Sequence, residues 1–229
     1  IASCLVGSEM CIRDRLTGME SAKKYGKVSH IGYFPDAFGN AGQMPQVLKQ
    51  AKMEAIAFGR GVKPIGLNNE IKSGQYESTF SEMNWQSNDG SSLPGILFAN
   101  WYNNGMEIPV DKTAAKIYWD ERLAKARQFA GTSHLLLMNG CDHQPVQTDL
   151  SAAIRTANAL YPDVDFVHSD FTGYVEQIKK ELPDDLNMIT GELRSQKTDG
   201  WYTLANTASS RIYICLLYTS PSPRDKRQS

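Results

Sequence analysis

Short apolar runs separated by helical patterns fill residues 28–182, and this alternation limits the open folds more than any other feature. The run Leu135-Leu136-Leu137-Met138 is short and apolar throughout, as a strand covered on both faces must be. A helical pattern at Lys112 to Ala130 precedes it. Another follows, with Leu150, Ala153, Ile154, Ala157 and Leu160 on one face and Thr148 or Asp149 as cap. Strand Asp165 to His168 and helix Thr172 to Leu182 repeat the unit. Nearer the start, a helix tail from Met19 to Tyr25 stops at Gly26. The strand Val28 to Phe34 then runs into Pro35 and the turn PDAFGNAGQMP. A helix at Pro45 to Lys52 tolerates proline in its first turn, and the strand Ala55 to Phe58 leads into Gly59-Arg60-Gly61. The pattern predicts an α/β fold of parallel strands with surrounding helices. Ser73 to Asp111, rich in Gly, Asn and Ser, reads as loop-dominated, the kind of stretch where ligands bind.

A chain of 229 residues with 41% hydrophobic content can bury one sizeable core or two small ones. Its net charge of -1, with no basic stripe, argues against holding nucleic acid by phosphate neutralisation. No run approaches the roughly 18 apolar residues that span a bilayer. The apolar start, Ile1 to Val6, has no basic region before it, so no secretory signal is expected and the predicted compartment is the cytoplasm. Three of the four cysteines, Cys4, Cys11 and Cys215, lie near the ends. One oligonucleotide encodes CLVGSEMCIRD, which is Cys4 to Asp14. Its opposite strand, in a shifted frame, encodes CLLYTSPSPRD, which is Cys215 to Asp225. Both segments resemble read-through of a sequencing-library transposase adaptor. Residues 1–15 and 215–229 are therefore expected to be non-native, and 16–214 to be a gene fragment with one cysteine, Cys141. That lone cysteine fits a reducing compartment.

Two carboxylates hold equivalent places. Asp36 follows the strand ending at Phe34, and Asp142 follows the one ending at Met138. At the carboxyl-end rim of a parallel sheet, such a pair can divide into nucleophile and general acid, as glycoside hydrolysis needs. An Asp after a strand also serves as a helix cap or turn residue, and Arg60 as a solvated turn arginine. His168-Ser169-Asp170 has a spacing that suits a metal, but equally a strand end and helix cap. His143 adjoins the rim, and His30 is expected to pack within its strand.

The run Gly18-Met19-Glu20-Ser21-Ala22-Lys23-Lys24-Tyr25-Gly26, followed by Ile31-Gly32-Tyr33-Phe34-Pro35-Asp36-Ala37-Phe38-Gly39-Asn40-Ala41-Gly42-Gln43-Met44-Pro45-Gln46, closely resembles glycoside hydrolase family 38, the zinc-dependent α-mannosidases. The resemblance continues through Phe58-Gly59-Arg60-Gly61, Trp101-Tyr102-Asn103 and Asn139-Gly140-Cys141-Asp142-His143, covering essentially 16–214. The similar bacterial members include mannosidases and mannosylglycerate hydrolases. The resemblance implies a fragment of the catalytic domain, an incomplete (β/α)7-type barrel. Its parent would be a retaining α-mannosidase that cleaves terminal α-D-mannosyl bonds through a covalent glycosyl-enzyme with Zn2+ assistance. The implied substrate is a mannosyl oligosaccharide or a mannosylglycerate-like glycoside. A homo-oligomeric parent is compatible with this reading.

By the same resemblance, Asp36 is both nucleophile and zinc ligand, and Asp142 is the general acid/base. A carboxylate oxygen on zinc leaves the other free to meet the anomeric carbon, while the ion grips sugar hydroxyls. The acid/base gives a proton to the leaving oxygen and then takes one from water. Arg60 and Phe38 match sugar-contacting positions, and Tyr102, or alternatively Trp101, matches the substrate-contacting tyrosine. Where the family commonly has an Asp before the acid/base, this chain has Cys141. The family's zinc site also uses an upstream His-x-Asp pair and a downstream histidine, neither of which matches here. Asp36 alone is expected to hold zinc poorly, and the fragment to be inactive and prone to aggregate. Two other readings use other residues: a metal-dependent deacetylase built on His168 and Asp170, and a non-catalytic carbohydrate-binding module. The latter would stack sugars on Trp85, Trp101, Tyr102, Trp201 and Tyr202, although aromatics also fill cores.

Overall fold

The structure is a computed structural model that describes residues 6–62, 78 and 80–193. A helix, α1 (Val6–Ala22), leads through a turn to β1 (Ile31–Phe34). Helix α2 (Met44–Gln50) carries Pro45 in its first turn, as the sequence predicts, and β2 (Ala55–Phe58) follows. Every residue of β2 is buried, because both of its faces are covered. Ile56 and Phe58 pack with Leu48 of α2, while Ala55 and Ala57 face the other way. The chain then forms β3 (Glu82–Gln86), β4 (Ser92–Leu97), α3 (Lys112–Arg127), α4 (Leu150–Leu160), α5 (Phe171–Ile178) and β5 (Met188–Thr190). Asp111 caps α3 by accepting the Ala114 N–H at 2.9 Å, and Asp170 caps α5 by accepting that of Gly173 at 2.7 Å.

The sheet runs in the order β1-β2-β4-β3-β5. Its pairs β1–β2, β2–β4 and β3–β5 are parallel, and β3–β4 is antiparallel. The fold is therefore α/β with a mixed, mostly parallel sheet. On one face, α2 joins Ile56, Phe58, Met83 and Trp85. On the other, Tyr174, Val175 and Ile178 of α5 join Ala55, Ala57, Ile96 and Phe98. Helices α3 and α4 make a third cluster around Trp119, Leu123, Ala153 and Ala157. Among the described residues, no helix is long and apolar enough to cross a membrane.

Several expectations are corrected. Most described residues of Ser73 to Asp111 lie outside helices and strands, as expected, but the stretch also contains the hairpin β3–β4. Leu135 to Met138 and Asp165 to His168, expected as strands, enter no ladder. The Asn104 side chain donates to the Leu136 carbonyl at 3.1 Å and accepts the Met138 N–H at 2.7 Å. Asn158 accepts the Phe166 N–H at 2.8 Å and donates to its carbonyl at 2.9 Å. Side-chain amides thus take bonds that a neighbouring strand would make, and both segments line a cavity of about 860 Å³. The first strand is shorter than expected, starting at Ile31, so His30 lies before it and bonds the Lys52 carbonyl at 2.9 Å. Helix α1 runs without a break across residue 15.

Candidate active site

The site begins where β1 and β2 end together. Phe34 pairs with Phe58, so the following residues, Pro35-Asp36 and Gly59-Arg60, leave the sheet side by side. The Gly59 N–H donates to the Phe34 carbonyl at 3.1 Å. No larger residue fits there, since a Cβ on Gly59 would lie 1.9 Å from the Pro35 carbonyl oxygen. Beyond Asp36, Asn40 and Leu193 exchange backbone hydrogen bonds of 2.9 and 3.0 Å, which tie the turn to the chain after β5. Two glycines permit this approach: Gly61 at φ +107° lies against Leu193, and Gly39 adopts φ +93°.

Arg60 is buried rather than solvated. Its side chain is 5% exposed, and its Nε–H donates to Asp36 Oδ1. The guanidinium lies over two aromatic rings, 4.8 Å from the Trp101 ring centre and 5.4 Å from that of Phe38. Phe38 keeps 47% of its surface open, so it also presents a ring to solvent at the mouth of the site.

The loop after β4 brings the remaining residues. Trp101 and Tyr102 lie ring against ring at 4.7 Å, and the Tyr102 hydroxyl donates to Asp142 Oδ2 at 3.2 Å. Burial, then the negative charges of Asp36 and Asp142, push the Tyr102 hydroxyl up to about 12, with its bond to Asp142 and nearby Cys141 adding to the effect. Tyr102 therefore feels both carboxylates and stays a proton donor throughout the neutral range. Asn103 Nδ2 lies 3.7 Å from Cys141 Sγ, which ties the two rim loops together a second time.

All six site residues expected from the sequence, Asp36, Phe38, Arg60, Trp101, Tyr102 and Asp142, thus join one network of bonds and ring contacts. Sequence reasoning missed Tyr33. It is 48% exposed and packs against Phe98 and Phe171, with ring centres 5.9 and 5.2 Å away. Burial and then the charge of Asp142 raise its hydroxyl above the usual tyrosine value. The signal available was the period of β1, which sends Gly32 toward Leu48 and Tyr33 to the opposite face. Trp85 is a core residue, fully buried with its Nε1–H on the Gly191 carbonyl at 2.7 Å, so it contributes nothing to a sugar-stacking wall. Trp201 and Tyr202 lie outside the described residues.

The Asp36 carboxylate is a chemically suitable zinc donor, but the described residues do not complete a set around it. All four histidines of the chain are described, at positions 30, 134, 143 and 168. His30 bonds the Lys52 carbonyl, His134 pairs with Glu181 at 3.3 Å, and His143 and His168 are exposed. Asp170 is engaged as the α5 cap. Among the described residues, no group of three or more His, Cys, Asp and Glu side chains is placed to hold a metal ion.

A protein of Halalkalibacterium halodurans named "Putative mannosylglycerate hydrolase" is 54% identical over 211 residues, which are 92% of this chain and 24% of that protein. An α-mannosidase from Enterococcus faecalis V583 superposes with a TM-score of 0.79 at 51% identity, over 90% of this chain and 23% of its own. A second Enterococcus faecalis structure, a protein in glycosyl hydrolase family 38, gives a TM-score of 0.64 at 37% identity, over 90% and 19% of the respective chains. The chain therefore spans about a quarter or less of the length of these relatives. With residues 4–197 matching the Glycosyl hydrolases family 38 N-terminal domain, the chain belongs to glycosyl hydrolase family 38.

Proposed function

We propose that the full-length protein containing this chain is a retaining α-mannosidase, acting on a terminal α-D-mannosyl bond of an oligosaccharide or of a mannosylglycerate-like glycoside. Asp36 is the nucleophile and Asp142 the general acid/base. The observation that carries this reading is the pairing of each carboxylate with its own partner on one rim: Arg60 on Asp36 and Tyr102 on Asp142. The two environments differ in kind, one cationic and aromatic, the other neutral and hydroxylic. Such a difference lets two carboxyl groups take different roles.

In this reading Arg60 occupies Asp36 Oδ1, which leaves the other oxygen to attack the anomeric carbon. The C–O bond to the leaving group breaks as the bond to Asp36 forms, and Asp142 delivers its proton to the departing oxygen. Asp142 then accepts a proton from the water that releases the sugar. Tyr102, bonded to Asp142, orients that carboxyl between the two half-reactions. Phe38, half open at the mouth, is placed to stack on a sugar face.

We also propose that the whole domain closes into a (β/α)7-type barrel and binds Zn2+. Asp36 would be the ligand from this chain and the others would come from sequence outside it. The ion would supply Lewis acidity and a grip on vicinal sugar hydroxyls. We propose too that residues 1–15 and 215–229 are adaptor-derived. In the full-length protein, Asp36→Asn and Asp142→Asn should each lower kcat on an aryl α-mannoside by about a thousandfold or more. NMR of the first-formed product should show retained anomeric configuration. Unchanged turnover in Asp36→Asn defeats the assignment, and an inverted product defeats the mechanism.

A further inference from the structure

We propose that Trp101 is a positioning residue that acts through Arg60 on Asp36, rather than a sugar contact; this rests on Asp36 being the nucleophile. Three observations carry it. The indole lies 4.8 Å from the Arg60 guanidinium, Phe38 lies 5.4 Å from it, and the same guanidinium group binds Asp36. A cation packed against two rings and almost excluded from water has little freedom to swing away from its carboxylate. The second observation is backbone strain. Trp101 has φ +76° and follows Asn100 at φ +62°, a left-handed conformation that a bulky residue adopts only when its surroundings impose it. The surroundings do impose it. The Trp101 N–H donates to the Phe98 carbonyl at 3.1 Å, and Asn104 Nδ2 holds the Ala99 carbonyl at 3.2 Å. Third, the other neighbour of the indole is Tyr102, the partner of Asp142. One strained residue therefore touches the holders of both carboxylates.

Glycine adopts φ +76° freely, so Trp101→Gly removes the clamp while relieving the strain. In the full-length protein it should lower kcat about tenfold with KM within about twofold, and leave the unfolding temperature undiminished. Trp101→Phe, which keeps a ring over the guanidinium, should lose less. In an Arg60→Gln background, Trp101→Gly should add less than about a twofold further loss, because residues that act through one another are not additive. A rise in KM with kcat unchanged, or full additivity with Arg60→Gln, overturns the proposal and makes Trp101 a substrate contact. A separate readout does not depend on the reaction. In the full-length protein, the Arg60 Nε–H proton should exchange slowly with water, and Trp101→Gly should speed its exchange. If Asp36→Asn leaves turnover intact, the nucleophile assignment fails while this proton still tests the clamp. If its exchange rate is unchanged by Trp101→Gly, the clamp itself fails.

Discussion

Gly59 shows how little freedom the site allows at the scale of one residue. With the Pro35 carbonyl oxygen 1.9 Å from the position of a Cβ, alanine there must part the two turns that carry Asp36 and Arg60. Gly59→Ala should lower the unfolding free energy by about 3 kcal/mol, measured by urea titration, because the clash is with backbone that cannot rotate away. Tyr102 gives a prediction in pH. Its hydroxyl titrates above the ordinary 10.0, at about 12, so the neutral form is favoured in the folded state. The resulting stabilisation is complete below pH 10 and is lost as pH rises through about 12. The tyrosinate difference titration between the wild type and Tyr102→Phe should therefore show one transition near the upper end of that window, and a transition near 10 would contradict the geometry. Asp36 and Arg60 were legible because each lies in a dense local motif whose spacing survives in the fold. Arg60 was nevertheless half misread: nothing local says that a turn arginine will be buried against rings contributed by residues 38 and 101.

At the scale of elements, helices were read more reliably than strands. The helices α2 to α5 carry their own period, and Asp111 and Asp170 cap α3 and α5, so their limits moved by only a few residues; Asp149 precedes α4 without a side-chain capping bond. The hairpin β3–β4 was hidden because Pro94 and Gly95 interrupt the second strand and serines flank it. A signal was present: Asp89-Gly90 lies between Met83 and Trp85 on one side and Leu93 and Ile96 on the other, with Gly90 at φ +86°. The opposite error occurred at Leu135 to Met138, where an apolar run looked like a paired strand. Pairing depends on a neighbour at ladder distance, and that is a tertiary fact. Asn104 stands in for the neighbour, so Asn104→Ala should cost about 2 kcal/mol in urea unfolding by leaving the Leu136 and Met138 backbone groups without partners. An unchanged midpoint would mean that water replaces the amide without penalty.

At the scale of the whole molecule, the chain holds one half of an argument that its relatives complete. It covers 24% of one relative and 23% of another, and among the described residues β1 is paired on one side only, leaving an edge beside the very turn that carries Asp36. An apolar edge strand is unusual as a final state, since it offers a row of backbone donors and acceptors to any further strand. Among the described residues, this rim holds no group of three or more side chains placed to bind a metal ion around Asp36. A tight zinc site takes about four ligands, and a lone carboxylate competes poorly with water. Under the proposed function, the 229-residue chain should therefore retain well below one equivalent of zinc after dialysis, measured by atomic emission, and should hydrolyse no aryl mannoside. The full-length protein should retain zinc, lose turnover on chelation and regain it when zinc is restored. Stoichiometric zinc on the short chain that persists in Asp36→Ala would place the ion elsewhere. Full turnover of the metal-free whole protein would leave Asp36 and Asp142 to work without a Lewis acid, and only the zinc part of the proposal would fall.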